Sequence, residues 1–562
     1  MKDSWVERTL AAMSPEEKAG QVLMVAFHGL SLDTLPGVMD RINRFHLGGY
    51  FQCKNTMAMM RDAGEIIQRE ARRPVLAGVD LESGTGYMFE GGSLFPRQMA
   101  RAAGGDEKTE YEIGRITARE GRAAGIHMTV SPVLDVHVNP AYPDGNTRAY
   151  GDDPAVVTKL AVANIRGLQE NGMAAIAKHF PGTGSTDMDQ HMAAAFIPES
   201  RARMESVFLR PYREAIRKTD LMSVMVSHLD VPSLVKERHP ADGLPVPTSL
   251  SHEIITGILK NKLGFRGIAM TDAFNMGGVN NRYTRAEAAA KAIQAGVDIV
   301  LCFDHGTLEV EYEGVLKGLK DGVFPARRLD DAVRNILGVM HRLGLDSGKA
   351  GPLPRDEFAE AVDPSRHEAL SRGITDRAVT VLRNRPRLLP LRNMGGKKAL
   401  VISAYNPDRE LAVKKGHKPY IEAVPDLLGK RGLSVTAVEV TPEFGPDDRA
   451  RMNGIIAESD IVFLDIFGIP SYGIGTILPH RAVMELFYNG ILNCGKPVVV
   501  NLFGDPFISR YAPSARALLC TFDETAYSQE SAVKVCFGEI PARGRSPVNL
   551  PAWFKRGAGI RI

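Results

Sequence analysis

Short apolar runs recur along residues 1–345, most of them followed by a longer stretch with helical spacing. The runs are Gln21–Phe27, Leu47–Gln52, Pro74–Asp80, His127–Val136, Ala174–Phe180, Leu221–Asp230, Gly267–Thr271 and Gly296–Phe303. They are rich in Val, Ile, Leu, Met and Ala, the pattern of strands covered on both faces in a parallel sheet. Helical periodicity fills Met57–Arg72, Lys108–Ala124, Ala155–Asn171, Arg201–Lys218, His252–Leu263 and Thr284–Ala295. Ser14-Pro15-Glu16-Glu17 and Asp153-Pro154 supply helix starts with proline near the first turn. Asn171-Gly172 and Ala295-Gly296 supply glycine stops. Eight strand candidates, most followed by a helix, predict an α/β fold that opens with a TIM-type (β/α)8 barrel over residues 1–345. An open doubly wound sheet is the alternative. No G-x-G-x-x-G follows an early strand, which weakens a dinucleotide-binding version of it.

Residues 346–380 break the pattern. Ser347-Gly348-Lys349-Ala350-Gly351-Pro352-Leu353-Pro354-Arg355 is rich in glycine, proline and charge, and marks a linker with a helix at about Arg366–Val379. A second β/α alternation fills 381–562. Its strand candidates are Lys398–Ser403, Ser434–Val440, Ile461–Phe467, Pro497–Phe503 and Ala517–Thr521. They predict a smaller C-terminal α/β sandwich domain.

Composition narrows the class. The 562 residues are too many for one ordinary core. Hydrophobic residues at 44% and charged residues at 24% exclude wholesale disorder. A net charge of +3, from 69 Lys+Arg against 66 Asp+Glu, argues against a nucleic-acid partner. Cys53, Cys302, Cys494, Cys520 and Cys536 are scattered without a C-x-x-C pair, so neither a disulfide framework nor a cysteine zinc site is expected. Met1–Arg8 lacks the apolar run of a signal peptide, and nowhere do 18 apolar residues follow one another. The expectation is a cytoplasmic protein with no membrane span.

In a (β/α)8 barrel the chemistry sits where strands end and loops begin. Here the third run ends in Asp80-Leu81-Glu82-Ser83-Gly84. The fourth carries Asp135, and its loop holds Asn146-Thr147-Arg148. The fifth ends in Lys178-His179 and opens into Phe180-Pro181-Gly182-Thr183-Gly184-Ser185-Thr186-Asp187-Met188-Asp189-Gln190-His191. The sixth ends in Ser227-His228-Leu229-Asp230, the seventh in Thr271-Asp272. A lone Asp after a strand is usually a helix cap, and a lone His is usually structural. Such groups at five of eight strand ends point instead to a polar rim, suited to the many hydroxyls of a small carbohydrate. Asp135 and His228 are candidate substrate contacts on that rim.

K-H-F-P-G-x-G followed by D-x-H, at Lys178 to His191, resembles the signature of glycoside hydrolase family 3, in its β-N-acetylglucosaminidase branch. Met13–Gln21, Ser93–Pro96, Ser131–Val136, Arg148–Pro154, Pro247–Ser251 and Gly264–Asp272 resemble further family segments in the same order. So does Ala378–Asn384 with Leu389-Pro390-Leu391 in the second domain. The resemblance implies Asp272 as the nucleophile, His191 as the general acid/base held by Asp189, and Lys178, His179, Arg148 and Asp80 as sugar-binding groups. It implies no cofactor and no metal. A histidine can serve such a reaction because its unperturbed pKa of about 6.5 lets it give and then take a proton. On a loop, a carboxylate two residues earlier can fix its tautomer. Gly182, Gly184 and Ser185 make the loop supple enough to close over substrate. The reading requires Asp272 and His191 to face one pyranose-sized hollow.

Two departures bear on the sugar. After the third strand the family typically reads D-Q-E-G-G-R-V, and here Asp80-Leu81-Glu82-Ser83-Gly84-Thr85-Gly86 lacks the Arg. The family dyad is D-[ST]-H, and here Gln190 fills the middle. The expected activity is retaining exo-β-N-acetylglucosaminidase action on cell-wall- or chitin-derived oligosaccharides. The alternatives are phosphorolysis, a β-glucosidase or β-xylosidase, and a catalytically silent sugar-binding protein. A zinc hydrolase built on His179, His191 and His228 would need an H-x-H or H-E-x-x-H motif that these residues do not form. Gly468–Thr476 in the second domain is glycine-rich but does not match a phosphate-binding loop.

Overall fold

Each apolar run of the first part becomes a strand buried on both faces; all five side chains of Leu23–Phe27 are buried, for example. The strands are β1 (Leu23–Phe27), β2 (Gly49–Gln52), β3 (Leu76–Val79), β4 (Met128–Thr129), β5 (Ala174–Phe180), β6 (Ser223–Val226), β7 (Ile268–Ala273) and β8 (Ile299–Phe303). They pair in parallel in sequence order and close into a barrel where Leu23 meets Val300. The computed structural model describes all residues except 1–3, 28, 304–305, 349, 407–422, 441–443, 471–472, 474–480 and 552. Of the glycine-rich stretch Gly468–Thr476, residues 471–472 and 474–476 therefore lie outside the described residues.

Local chemistry sets the boundaries. Ser14 and Glu17 form a reciprocal cap with Pro15 in the first turn, and Thr284 with Glu287 does the same before Arg285–Ala295. β4 is much shorter than its apolar run because Pro132 offers no N–H to a neighbouring strand. The helix expected at Arg201–Lys218 is interrupted by a π-turn at Met204–Phe208. Pro211 accounts for this, since its ring displaces the α-helical bond to the carbonyl of Val207. At the opening of β8, buried Asp298 takes Lys260 Nζ at 2.9 Å, Arg328 Nη2 at 2.6 Å and the Ala269 N–H at 2.9 Å, tying β8 to β7.

The chain divides into two compact units: residues 1–95, 107–136 and 154–367, and residues 96–106, 137–153 and 368–562. The second thus includes two segments from early in the chain. The stretch read as a linker contains the helices Arg355–Ala361 and Ser365–Ala378. The second unit is built on a sheet of β9 (Thr380–Asn384), β10 (Lys398–Asn406), β11 (Ser434–Val440), β12 (Ile461–Gly468), β13 (Val498–Gly504) and β14 (Ala517–Cys520). Their order is β9-β14-β13-β12-β10-β11, with β9 antiparallel to β14 and the rest parallel. Apolar clusters cover both faces. One packs Val424, Leu428 and Val533 against Val401, Phe463 and Val499; the other packs Met452, Ile456 and Leu486 against Leu400, Val462 and Val500. All five cysteines are free thiols, and among the described residues no helix is long and apolar enough to cross a membrane.

Candidate active site

The loop ends of β3, β4, β5, β6 and β7 carry a linked set of polar side chains, all in the first unit. Lys178, near the end of β5, is almost fully buried. Its Nζ lies 2.9 Å from Asp80 Oδ2 and 2.7 Å from Glu82 Oε1. A buried ammonium is tolerable only beside such partners. Asp80 is the more exposed of the two carboxylates, at 21% against 3% for Glu82. Thr85 stands where the family resemblance places an Arg. It is buried and hydrogen-bonds Glu120, which also accepts the Ser93 N–H at 3.0 Å and the Ser93 hydroxyl at 2.5 Å.

His179 follows Lys178 on β5, and its Nδ1 is 2.6 Å from Asp135 Oδ2. Asp135 Oδ1 accepts the Thr183 N–H at 2.9 Å. Burial pushes the Asp135 carboxyl up, but the charge of His179 and the hydrogen bonds from His179 and Thr183 outweigh it and hold the group below its ordinary value. Asp135 is fully buried with its oxygens turned to these partners. Asp135, read from the sequence as a candidate substrate contact, here holds the His179 ring and anchors the root of the following loop.

His228, the other candidate substrate contact, lies just beyond the end of β6. Its Nδ1 meets the Ser249 hydroxyl at 2.7 Å and its Nε2 meets the Ala273 carbonyl at 3.1 Å, so both ring nitrogens are engaged within the protein. Burial lowers its pKa, against the opposing pull of Asp272, and the His191 charge lowers it further. The ring is therefore neutral, donating to Ala273 and accepting from Ser249.

The loop after β5 holds Asp189 and His191. Asp189 is fully buried, and its Oδ1 receives both the His191 backbone N–H at 2.9 Å and the ring Nδ1 at 2.8 Å. With Nδ1 held by a carboxylate, the tautomer is set, and the opposite edge of the ring presents Nε2. The His191 side chain is 24% exposed, open enough for a ligand to reach. Asp272, in β7, is 7% exposed; its Oδ1 accepts the Ala273 N–H at 2.9 Å and its Oδ2 accepts Gln190 Nε2 at 3.2 Å. Gln190 is the residue between Asp189 and His191, so the loop of β5 and the carboxylate of β7 belong to one constellation. Arg148 belongs to the second unit, where its Nη1 pairs with Asp144 Oδ1 at 2.5 Å.

Two residues of this set were not among the sequence candidates. Glu82 was visible as a second carboxylate beside Asp80, and the signal for it was the need of a buried Lys178 for anionic partners. Gln190 was visible only as a departure from D-[ST]-H, with nothing in the sequence to say what its amide would touch. Among the described residues no group of three His, Cys, Asp or Glu side chains could hold a metal ion.

The chain matches the profile of the Glycosyl hydrolase family 3 N terminal domain over residues 15–339, more than half its length. It is 27% identical over 555 residues to a beta-N-acetylglucosaminidase/beta-glucosidase of Cellulomonas fimi, covering 97% of this chain and 95% of that one. Among solved structures it resembles a beta-glucoside phosphorylase, BglX, bound to 2FGlc. The TM-score is 0.86 with 26% identity, over 98% of this chain and 97% of that chain. It also resembles a glycoside hydrolase family 3 beta-N-acetylglucosaminidase from Paenibacillus sp. str. FPU-7. There the TM-score is 0.81 with 25% identity, over 96% and 99% of the two chains.

Proposed function

Because this chain belongs to glycosyl hydrolase family 3 and is a glycosidase of that family, we propose that its substrate is a terminal β-linked N-acetylglucosamine, removed with retention from cell-wall- or chitin-derived oligosaccharides. The observation that carries this reading is the hydrogen bond from Gln190 to Asp272, beside an acid/base pair, Asp189–His191, on the same loop. Retention needs a nucleophile on one face of the anomeric carbon and a proton donor for the leaving oxygen.

In the first step an Asp272 oxygen bonds to C1 as the C1–O bond to the aglycone breaks. His191 gives its Nε2 proton to the departing oxygen, and Asp189 stabilises the ring while it is charged. In the second step water loses a proton to His191, its oxygen bonds to C1, and the C1–O bond to Asp272 breaks. The carboxylate and the protonated imidazole are thereby restored. Lys178, Asp80 and His179 supply hydroxyl contacts, with Glu82 and Asp135 holding the first and the last of these in place.

The name of the Cellulomonas fimi relative supports the N-acetylglucosamine reading and carries β-glucosidase beside it. A second reading is favoured by the likeness to a β-glucoside phosphorylase. A histidine acid/base removes one anion from the approach of phosphate, which then replaces water in the second step. The test is a panel of 4-nitrophenyl β-glycosides run with and without phosphate, with Asp272→Ala and His191→Ala alongside. The proposal expects 4-nitrophenol release from the N-acetylglucosaminide in both buffers, abolished in Asp272→Ala. Release confined to the glucoside or xyloside would refute the sugar, and sugar 1-phosphate as the main product would establish the second reading. A well-folded protein inactive on the whole panel would refute both.

A further inference from the structure

The side chain of Gln190 is buried, and its amide is used at both ends. Nε2 donates to Asp272 Oδ2 at 3.2 Å, and Oε1 accepts the His228 backbone N–H at 3.2 Å. Its carbonyl accepts the Gly278 N–H at 3.0 Å, and the carbonyl of His191 accepts the Gly277 N–H at 2.9 Å. Asn281 Nδ2 adds a bond of 3.0 Å to the carbonyl of Met192. The loop bearing the proton donor is therefore tied, at three consecutive residues, to the segment that follows the proposed nucleophile. The side-chain bond of Gln190 reaches the nucleophile itself. A serine or threonine in this position has too short a side chain to span both ends of that link.

The geometry points to Gln190 as a positioning residue that couples the two halves of the catalytic pair: its amide holds the Asp272 carboxylate in register with the loop that carries His191. This inference rests on the roles proposed above for Asp272 and His191. It predicts that losing the amide harms the nucleophilic step as well as proton donation. The Asp272 carboxylate loses a fixed donor that orients it for attack on C1 and that stabilises it again as the C1–O bond to Asp272 breaks. Neutral amide donors beside a carboxylate favour its charged form without adding net charge to the site.

The experiment compares wild type with Gln190→Met, a side chain of similar length without a donor, and with His191→Ala. Two substrates are used: the best 4-nitrophenyl β-glycoside from the panel, and its 2,4-dinitrophenyl counterpart, whose leaving group departs without a proton. Melting temperatures check folding. Gln190→Met is expected to lose about 10- to 100-fold in kcat on both substrates with KM little changed, because a small misplacement of a reacting group costs rate. His191→Ala is expected to spare the first, glycosylating step on the dinitrophenyl glycoside. Loss in Gln190→Met on the 4-nitrophenyl glycoside alone, or on neither, overturns the coupling role. Gln190→Glu gives a second readout. It keeps the length but sets a second carboxylate against Asp272, so its pH optimum is expected to move toward acid by about 1 unit or more, where the pair shares a proton. An unshifted profile of lower height overturns the proposal. An Asp272→Ala variant that keeps full activity would show instead that the underlying reading has failed.

Discussion

Adding one methyl group at Gly277 tests whether the loop after β5 must lie where it does. A Cβ built on Gly277 falls 2.1 Å from the Met192 carbonyl oxygen, 2.4 Å from its carbonyl carbon and 3.0 Å from the Ala193 nitrogen. All three are backbone atoms, so no side chain can swing aside. The φ of Gly277 lies outside the left-handed region, so the penalty is contact and not backbone strain. To restore van der Waals separation the loop must withdraw by about 1 Å. That movement opposes the Gly277 N–H bond to His191 and the Asn281 bond to Met192. Overpacking of this kind costs about 1–3 kcal/mol, which a folded domain of ordinary stability survives.

Displacing a proton donor by about 1 Å costs on the order of 100-fold in rate. Gly277→Ala is therefore expected to melt a few degrees lower and to lose about 100-fold in kcat on the 4-nitrophenyl glycoside that wild type cleaves. The control is Gly338→Ala, inside the helix Ala326–Arg342, where an added Cβ has no heavy atom within 4 Å. It is expected to keep full activity and to gain up to about 1 kcal/mol. The assay is initial-rate kinetics with thermal and urea unfolding on the same preparations. A Gly277→Ala protein within about threefold of wild-type kcat would refute the argument that loop position limits the chemistry.

Lys178→Met leaves Asp80 and Glu82 without their cation and is expected to destabilise the protein by about 3–5 kcal/mol in urea unfolding. Adding Glu82→Gln should recover part of that loss. His228→Phe leaves the Ser249 hydroxyl and the Ala273 carbonyl buried without the ring, costing about 1–3 kcal/mol for each and lowering kcat through the neighbour of Asp272. Burial lifts the Asp505 carboxyl from 3.8 to about 6, against lowering bonds from Asn146 and the Phe507 N–H and the charge of Arg510. The native state thus binds more protons than the unfolded chain in that window. The contribution of Asp505 is complete below about pH 3.8 and is lost, by about 3 kcal/mol, as pH rises through 6. Asp505→Asn should remove that fall from a denaturation series across pH 4–8.

What was legible in the sequence followed from short-range causes. The barrel strands declared themselves because parallel strands covered on both faces read as unbroken apolar runs, as Leu23–Phe27 and Ile299–Phe303 do. In the second unit Ser434–Val440 was found to the residue. β9, Thr380–Asn384, was not read as a strand. It is an antiparallel edge whose last two residues, Arg383 and Asn384, are only partly buried, so it lacks the apolar run that marks its neighbours. The two early segments that belong to the second unit, 96–106 and 137–153, were not foreseen either. Periodicity describes an element, and unit membership depends on contacts between residues hundreds of positions apart, such as Arg97 with Glu524.

The same distinction governs the site. That Asp80, Lys178, His179, Asp189, His191 and Asp272 lie at strand ends could be read from order alone, since a barrel delivers every strand end to one rim. Which of the rim groups turn outward could not, because that depends on what each finds within about 3 Å. Asp135 and His228 look like Asp80 and His191 in sequence. Asp135 is consumed by His179 and Thr183, and His228 by Ser249 and Ala273. A buried carboxylate or imidazole must find partners, and groups that find all of theirs inside the protein are spent on positioning. Asp80 and His191 keep 21% and 24% of the side chain exposed. On this rim Asp135 and His228 hold the frame through bonds inside the protein, whereas Asp80 and His191 keep more of their side chains exposed. Gln190 belongs to the first group and touches Asp272, which is why the middle residue of the D-x-H motif bears on the chemistry although it takes no proton.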